Sequence, residues 1–433
     1  MSPSNPTLDA WEACNKIDTA FVMTCCAFCW PIIPAVGLGY SGYSTRWNSI
    51  ASFYPALIAV SVCTIQWWAI GYALAYGEGG AVVGPLTTAF HRGVGADPVG
   101  TIPAILFSFF QLIFEATVCA IAIGGASHMV WGGGFLAELG VLDFAGGTPV
   151  HINSGATATA LSLYLSYPVA RSRKSANRTP SHLALHKPHN TICQMIALII
   201  IWGSWLAFDA GTTLALNYKS VMAMVVTNVC ASAGAITYAV YTWAETGKWA
   251  VDSVFLGAIA GLVMITPSAG FIGINTALFF GIFGALLTRQ ALRIKFTPWA
   301  RKWRWVDNGD TFATHCLCGF AGTIATGLFA SKEVASYDGV TDITGGVVFD
   351  GNIRQLGIQV LEACIGFTWS FVVSWLLFAL IDCVPGLEVL CTNDELLMGM
   401  DAAQMEETLT EHHWTDEAEY KAIDAAKGPI SIA

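Results

Sequence analysis

Charge is scarce in this chain of 433 residues: only 12% are Asp, Glu, Lys or Arg, about half the ~25% of a typical soluble domain. Too few polar side chains remain to cover a water-soluble surface of this size, so a soluble globular protein is excluded. No basic stripe interleaved with aromatics is present, which excludes nucleic acid as a partner. The 13 cysteines are scattered through apolar stretches. Cys25, Cys26 and Cys29 share one stretch, and Cys316 and Cys318 are too close for Cys-x2-Cys metal spacing. They are read as small buried hydrophobes rather than a disulfide or zinc framework. A cleavable signal peptide is not expected, because the first apolar run follows an acidic leader.

What is present is hydrophobicity, 55% of the chain, and 43 glycines, a combination that suits closely packed membrane helices. The expected fold class is an all-α polytopic membrane protein. Apolar runs of roughly 18 residues or more are candidate spans. Ten stand out, near 18–40, 52–76, 101–125, 149–170, 192–216, 220–243, 251–267, 271–290, 311–330 and 356–382. They delimit an N-terminal leader at 1–17, a transmembrane domain at 18–384 and an acidic cytoplasmic tail at 385–433. The tail acids, among them Glu388, Asp401, Glu406 and Asp416, are expected to be solvated.

Lys and Arg mark inner loops. Arg46, the cluster from Arg171 to Lys187, Lys248, and the cluster from Arg289 to Arg304 are therefore placed inside. Residues 126–148 carry no Lys or Arg and are placed outside. These assignments conflict. Alternating from Arg46, the third run ends inside near Gly125, yet the next residues belong outside. One crossing is missing, and "SHMVWGGGFLAELGVLDFAGG" is too broken by glycine to supply it. Ten spans put both termini on one side.

Polar residues inside apolar runs are expensive and carry functional hypotheses. His151 in "TPVHINSG" and His315 in "DTFATHCLCGFAG" each lie a few residues into a run, behind Asp143 and Asp310 respectively. Thr148 and Pro149 read as an N-cap and a first helical residue. His151 then sits near a helix N-terminus, whose dipole disfavours imidazolium, so a neutral ring is expected. Two neutral imidazoles side by side could relay a proton or hold a small polar molecule; two unrelated helix-bonding histidines are the plainer alternative. Zinc has weak support without a third ligand. In "IIIWGSWLAFDAGTTLALN", Trp205, Phe208 and Thr212 share one helix face. Rings around a hydroxyl fit a cation site, with Phe114 of "FQLIFEATVCA" as a ring from another helix, although such a stripe also serves ordinary packing. Asp209 and Glu115 are intramembrane acids whose partners the sequence does not identify.

Six motifs in order point further: "GYALAY", "HMVWGGG", "LDFAGGTPVHINSG", "FDAGTTLALN", "GAIAGLVMITPSAG" and "HCLCGFAG". With them the chain resembles the ammonium transporter family, the Amt/Mep/Rh proteins, from about Asp18 to Glu407. The resemblance implies two inverted five-helix repeats plus a last helix, with about ten spans here instead of eleven. It implies a homotrimer in the plasma membrane, a pore in each subunit, and ammonium, or methylammonium as its analogue, as the transported species. Trp131 and Phe114 match the rings that recruit ammonium, and Thr212 the accompanying hydroxyl. Phe114 and Phe208 match the stacked gate, Trp205 a pore-lining tryptophan, and His151 and His315 the twin pore histidines. Asp143 matches the aspartate that organises the recruitment site. No cofactor is implied.

Two departures stand out. Asp209 replaces the family asparagine, which puts an acid near the entrance gate, there to aid recruitment or simply to be paired. At "AIAIGGASHMVWGGG" the family's fourth helix is missing, the same crossing that the charge pattern lacks. A splice or gene-model variant without transport is therefore one alternative. A sensor or transceptor that uses the acidic tail as its output is another. A membrane hydrolase built on His151, His315 and Asp143 lacks a nucleophile or His-Glu-x-x-His motif, so the chain is not expected to be an enzyme.

Overall fold

The computed structural model describes residues 5–118, 123–166, 188–307 and 309–389, together with 391, 392, 395 and 398–409. The Lys/Arg cluster at 171–187 and the acids beyond 410 lie outside the described residues. Among the described residues the regular structure is helical apart from one two-stranded hairpin, β1 (Pro98–Val99) with β2 (Ile102–Pro103). α1 (Pro6–Ala13) precedes α2 (Lys16–Cys29) and α3 (Ile32–Tyr43), which run on as one apolar path. Its break falls at Pro31, which has no N–H to continue the ladder. α4 (Ser49–Gln66) passes through a π turn, Trp67–Gly71, into α5 (Tyr72–Tyr76). Then come α6 (Ala104–Val118), α7 (Ile123–Val130) and α8 (Phe135–Leu139). A second π turn, Gly147–Ile152, opens α9 (Asn153–Ser166). The second half holds α10 (Thr191–Gly211), α11 (Tyr218–Thr246), α12 (Val251–Ile265), α13 (Ile274–Ala291) and α14 (Pro298–Trp303). A third π turn, Phe312–Leu317, opens α15 (Cys318–Phe329). The short α16 (Lys332–Ala335) and α17 (Val347–Asp350), the long α18 (Ile353–Ile381) and α19 (Met400–Gln404) complete it.

Among the described residues, seven helical stretches are long and apolar enough to cross a bilayer. The protein is a multi-pass membrane protein. Helix starts carry asparagine caps: Asn15 accepts from the N–H groups of Ile17 and Asp18, Asn190 from those of Ile192 and Cys193, and Asn217 forms a capping box with Ser220.

Contacts between helix ends group them into two faces, and the Lys/Arg pattern of the sequence gives these the names inner and outer. On the outer face the Asn15 N–H reaches the Thr101 carbonyl, the Leu216 N–H reaches Asp18, and Lys219 pairs with Asp338. On the inner face the Tyr43 hydroxyl donates to Asp310, Ser166 donates to the Arg304 carbonyl, and the Tyr164 hydroxyl donates to Asp382. Arg304, Asp310 and the Arg289–Glu245 pair share this end of the bundle with Tyr43 and Ser166.

The run expected at 101–125 departs from a full span. α6 has 15 residues, about 22 Å of helix, against ~30 Å of hydrocarbon. Near its start, Phe107 makes an edge contact with Tyr76, centroids 5.0 Å apart. Near the end of α7, the His128 ring nitrogens lie 3.2 and 3.0 Å from the Ala75 and Gly80 carbonyls. α6 therefore starts, and α7 ends, at the outer end of α5. The expectation of both termini on one side is corrected by the placement of the two described ends. Asn15 lies with Thr101 outside, whereas Met400 donates to Asn48 inside, because α6 and α7 leave and rejoin the same face.

The solvated tail is also corrected at Asp401. Asp401 is 3% exposed and accepts from the N–H groups of Ile50 and Ala51. It caps α4, where a carboxylate meets unpaired donors and the positive helix end.

Candidate functional site

Two π turns carry the two histidines. His151 lies in Gly147–Ile152 and His315 in Phe312–Leu317, each running into the helix behind it. Such turns recur at functional sites because they re-aim side chains within a helix. An aspartate holds the head of each. Asp143 accepts from the N–H groups of Gly146, Gly147 and Thr148 at 2.9, 2.7 and 2.8 Å. Asp307 accepts from those of Phe312 and Ala313 at 3.0 and 3.1 Å. The cap expected at Thr148 is thus corrected: Thr148 lies inside the turn as a donor, because the Asp143 carboxylate reaches three N–H groups at once.

Glycines let the helices close. An added Cβ on Gly155 would stand 2.3 Å from Cys316 Cβ, and one on Gly319 would stand 2.8 Å from His151 Cβ. Each glycine follows a histidine by one helical turn, in "HINSG" and "HCLCG". With no side chain between them, His151 Nδ1 and His315 Nδ1 approach to 3.2 Å. In such a contact one Nδ1 carries a hydrogen and the other offers a lone pair. His151 is 1% exposed, and its Nε2 has no hydrogen-bond partner.

Aromatics line the path outward from the pair. Trp205 stacks on His151 at 5.3 Å and 16°, its indole N–H donating to Thr266 Oγ1 at 3.0 Å. Phe208 and Phe114 stack above it at 3.9 Å and 23°. Trp131 meets Phe114 edge-on at 6.0 Å and donates to the Asp143 carbonyl at 2.8 Å. Thr212 donates to the Phe208 carbonyl at 2.9 Å, beside the stacked rings. Every residue picked out from the sequence for this path, Phe114, Trp131, Asp143, His151, Trp205, Phe208, Thr212 and His315, is therefore brought into one column.

Two acids fall elsewhere. Asp209 is fully buried, accepts from the Thr227 hydroxyl at 2.6 Å and lies by Cys29 and Cys230. Of its two expected places, paired is the observed one; one residue past Phe208 is a rotation of about 100° around the helix, off the gate face. Asp310 follows a left-handed backbone, φ 55°, and turns inward to Lys295 at 2.6 Å and to the Tyr43 hydroxyl at 2.8 Å.

Three groups escaped the sequence reading. Asp307 stands eight residues before His315, as Asp143 stands eight before His151, and that repeated spacing could have found it. Glu362 is fully buried and contacts Asp143 and Thr148, and Gln359 beside it bonds both backbone groups of Leu142. Nothing local in the sequence of α18 announces them.

The Ammonium Transporter Family profile matches residues 20–127 and 125–410, two stretches that meet in "AIAIGGASHMVWGGG". Ammonium transporter 1 of Schizosaccharomyces pombe is 32% identical over 91% of this chain and 82% of its own length. The ammonium transporter of Bacillus subtilis is 30% identical over 89% of this chain and 96% of its own. The crystal structure of Candida albicans Mep2 superposes with a TM-score of 0.80 at 33% identity, covering 89% of each chain. A helical bundle with this column of residues, matched along nearly its whole length, belongs to the ammonium transporter family.

Proposed function

We propose that this chain carries ammonium across the plasma membrane by splitting it. Trp131, Phe114 and Thr212 take up NH4+ at the outer end, with Asp143 holding the vestibule backbone in place. Ammonium gives its proton to the histidine pair and NH3 passes the Phe114–Phe208 gate. NH3 then moves along Trp205, and the two recombine as NH4+ inside. The observation that carries this reading is the 3.2 Å contact between His151 and His315 beneath two stacked phenylalanines. Taking a full ammonium charge through an apolar passage is costly; a neutral molecule avoids that cost, and a linked imidazole pair gives the proton a separate route. A homotrimer, each subunit with its own pore, is the assembly that goes with this reading.

Expression in a host without ammonium transporters tests it. Growth on low ammonium and saturable uptake of radiolabelled methylammonium are expected, both lost in His151→Ala. Absence of both in the parent chain overturns the reading. A second reading is a transport-incompetent form, favoured by the profile match in two stretches and by the 15 residues of α6. Its mark is silence in this assay together with uptake once a family-length segment is inserted between Gly125 and Ser127.

A further inference from the structure

α18 lays one face against the loop that feeds the His151 turn. Gln359, Glu362 and Gly366 follow one another at helical spacing, so they share that face. Gln359 accepts from the Leu142 N–H at 2.9 Å and donates to the Leu142 carbonyl at 2.8 Å. Gly366 lets the helix close on the turn: an added Cβ would stand 2.2 Å from Thr148 Cγ2. Between these two ties sits Glu362, 0% exposed. Its Oε2 accepts from the Gln359 amide at 2.9 Å. Its other polar neighbours are the Thr148 hydroxyl and the Asp143 carboxyl. Two carboxyl groups therefore meet inside the bundle, and among the described residues neither enters an ion pair.

Two like charges in contact away from water repel strongly. One hydrogen between them removes the repulsion and makes a charge-assisted hydrogen bond. The surrounding donors decide which acid carries it. Asp143 receives three backbone N–H groups, at its two oxygens together, and these support a carboxylate. Glu362 receives one neutral amide, and the hydroxyl beside it can turn to donate or accept. We propose that Glu362 is a positioning residue: its neutral carboxyl donates to the Asp143 carboxylate and ties the His151 turn to α18. Its effect on His151 runs through Asp143, which fixes the head of Gly147–Ile152. The proposal rests on the role given to Asp143 in the transport reading above.

Full-length protein, isotope-labelled at the glutamate side-chain carboxyls and purified in detergent, is examined by infrared spectroscopy at neutral pH. The expected result is a label-sensitive carbonyl band of an un-ionised carboxylic acid that is absent from Glu362→Gln. That variant keeps an N–H donor toward Asp143, so its thermal midpoint should match the parent's and its methylammonium uptake should stay within about twofold. Glu362→Leu removes the donor, and it should lower the midpoint and reduce uptake per inserted molecule about tenfold. The same carboxylic-acid band with and without Glu362, a Glu362→Gln protein as impaired as Glu362→Leu, or parental uptake in Glu362→Leu overturns the proposal. A parent chain that takes up no methylammonium refutes the transport reading alone. The infrared band and the order of midpoints are read on purified protein and still decide whether Glu362 holds Asp143.

Discussion

Asp143 and Asp307 hold equivalent positions in the two halves of the protein. Each stands eight residues before one of the paired histidines and receives backbone N–H groups from the π turn that carries it. A carboxylate at a helix head satisfies otherwise unpaired donors and meets the positive end of the dipole. The histidines are thereby aimed by acids that do not touch them.

Removing either cap is expected to cost about 2 kcal/mol. Asp143→Ala and Asp307→Ala should each lower the thermal midpoint, with Asp→Asn intermediate because one acceptor oxygen survives. Differential scanning measurements check this; an unchanged midpoint in Asp307→Ala contradicts the pairing of roles.

Gly155→Val and Gly319→Val insert carbon where a neighbouring carbon already stands within 2.3 and 2.8 Å. Overpacking of this kind costs about 1–3 kcal/mol, and here the helices can relieve it only by moving apart. Both variants should separate the histidines and reduce uptake at least about tenfold, with Gly→Ala milder. Uptake rates, read beside membrane expression level, decide between lost geometry and lost protein.

Asp209→Asn should leave uptake within about twofold, since Asp209 faces Thr227 rather than the gate. An amide oxygen still accepts from that hydroxyl, and the demand of burying a carboxylate disappears. The thermal midpoint should hold or rise. A large loss of uptake would return Asp209 to the entrance.

The outer tie between Lys219 and Asp338 gives a pH prediction. Burial pushes the Asp338 carboxyl up, but the Thr341 hydroxyl, the N–H groups of Thr341 and Val340, and Lys219 outweigh it and hold it well below the usual range. A depressed carboxylate stabilises fully above its unfolded pKa, ~3.9, and loses that contribution as pH falls through its lower folded value. Stability from this tie should persist to about pH 4 and then decline, and Asp338→Asn should flatten that part of the profile. Acid unfolding curves of the two proteins test the sign.

Opposite faces for the two ends follow from the return of α6 and α7 to one side. Epitope tags at the N- and C-termini should be accessible from outside and inside respectively in intact cells. Tags on the same side contradict that path.

The bundle was legible along the chain because apolar runs and Lys/Arg asymmetry are local properties, and the lipid demands them segment by segment. The residues that gather around the two histidines were singled out by the resemblance of their motifs to the family, since an imidazole or a ring face within an apolar run by itself is also read as ordinary packing. Other decisions needed the assembled fold. Which acid serves His315 depended on backbone direction: a left-handed turn at Asp310 sends it to Lys295 and leaves Asp307 at the helix head. Asp401 looked like one more tail charge until α4 offered its bare N–H groups. The contact between His151 and His315 joins residues 164 apart. Composition alone places both rings in the membrane. Only the crossing of two helices, brought close by two glycines, places them within one hydrogen bond of each other.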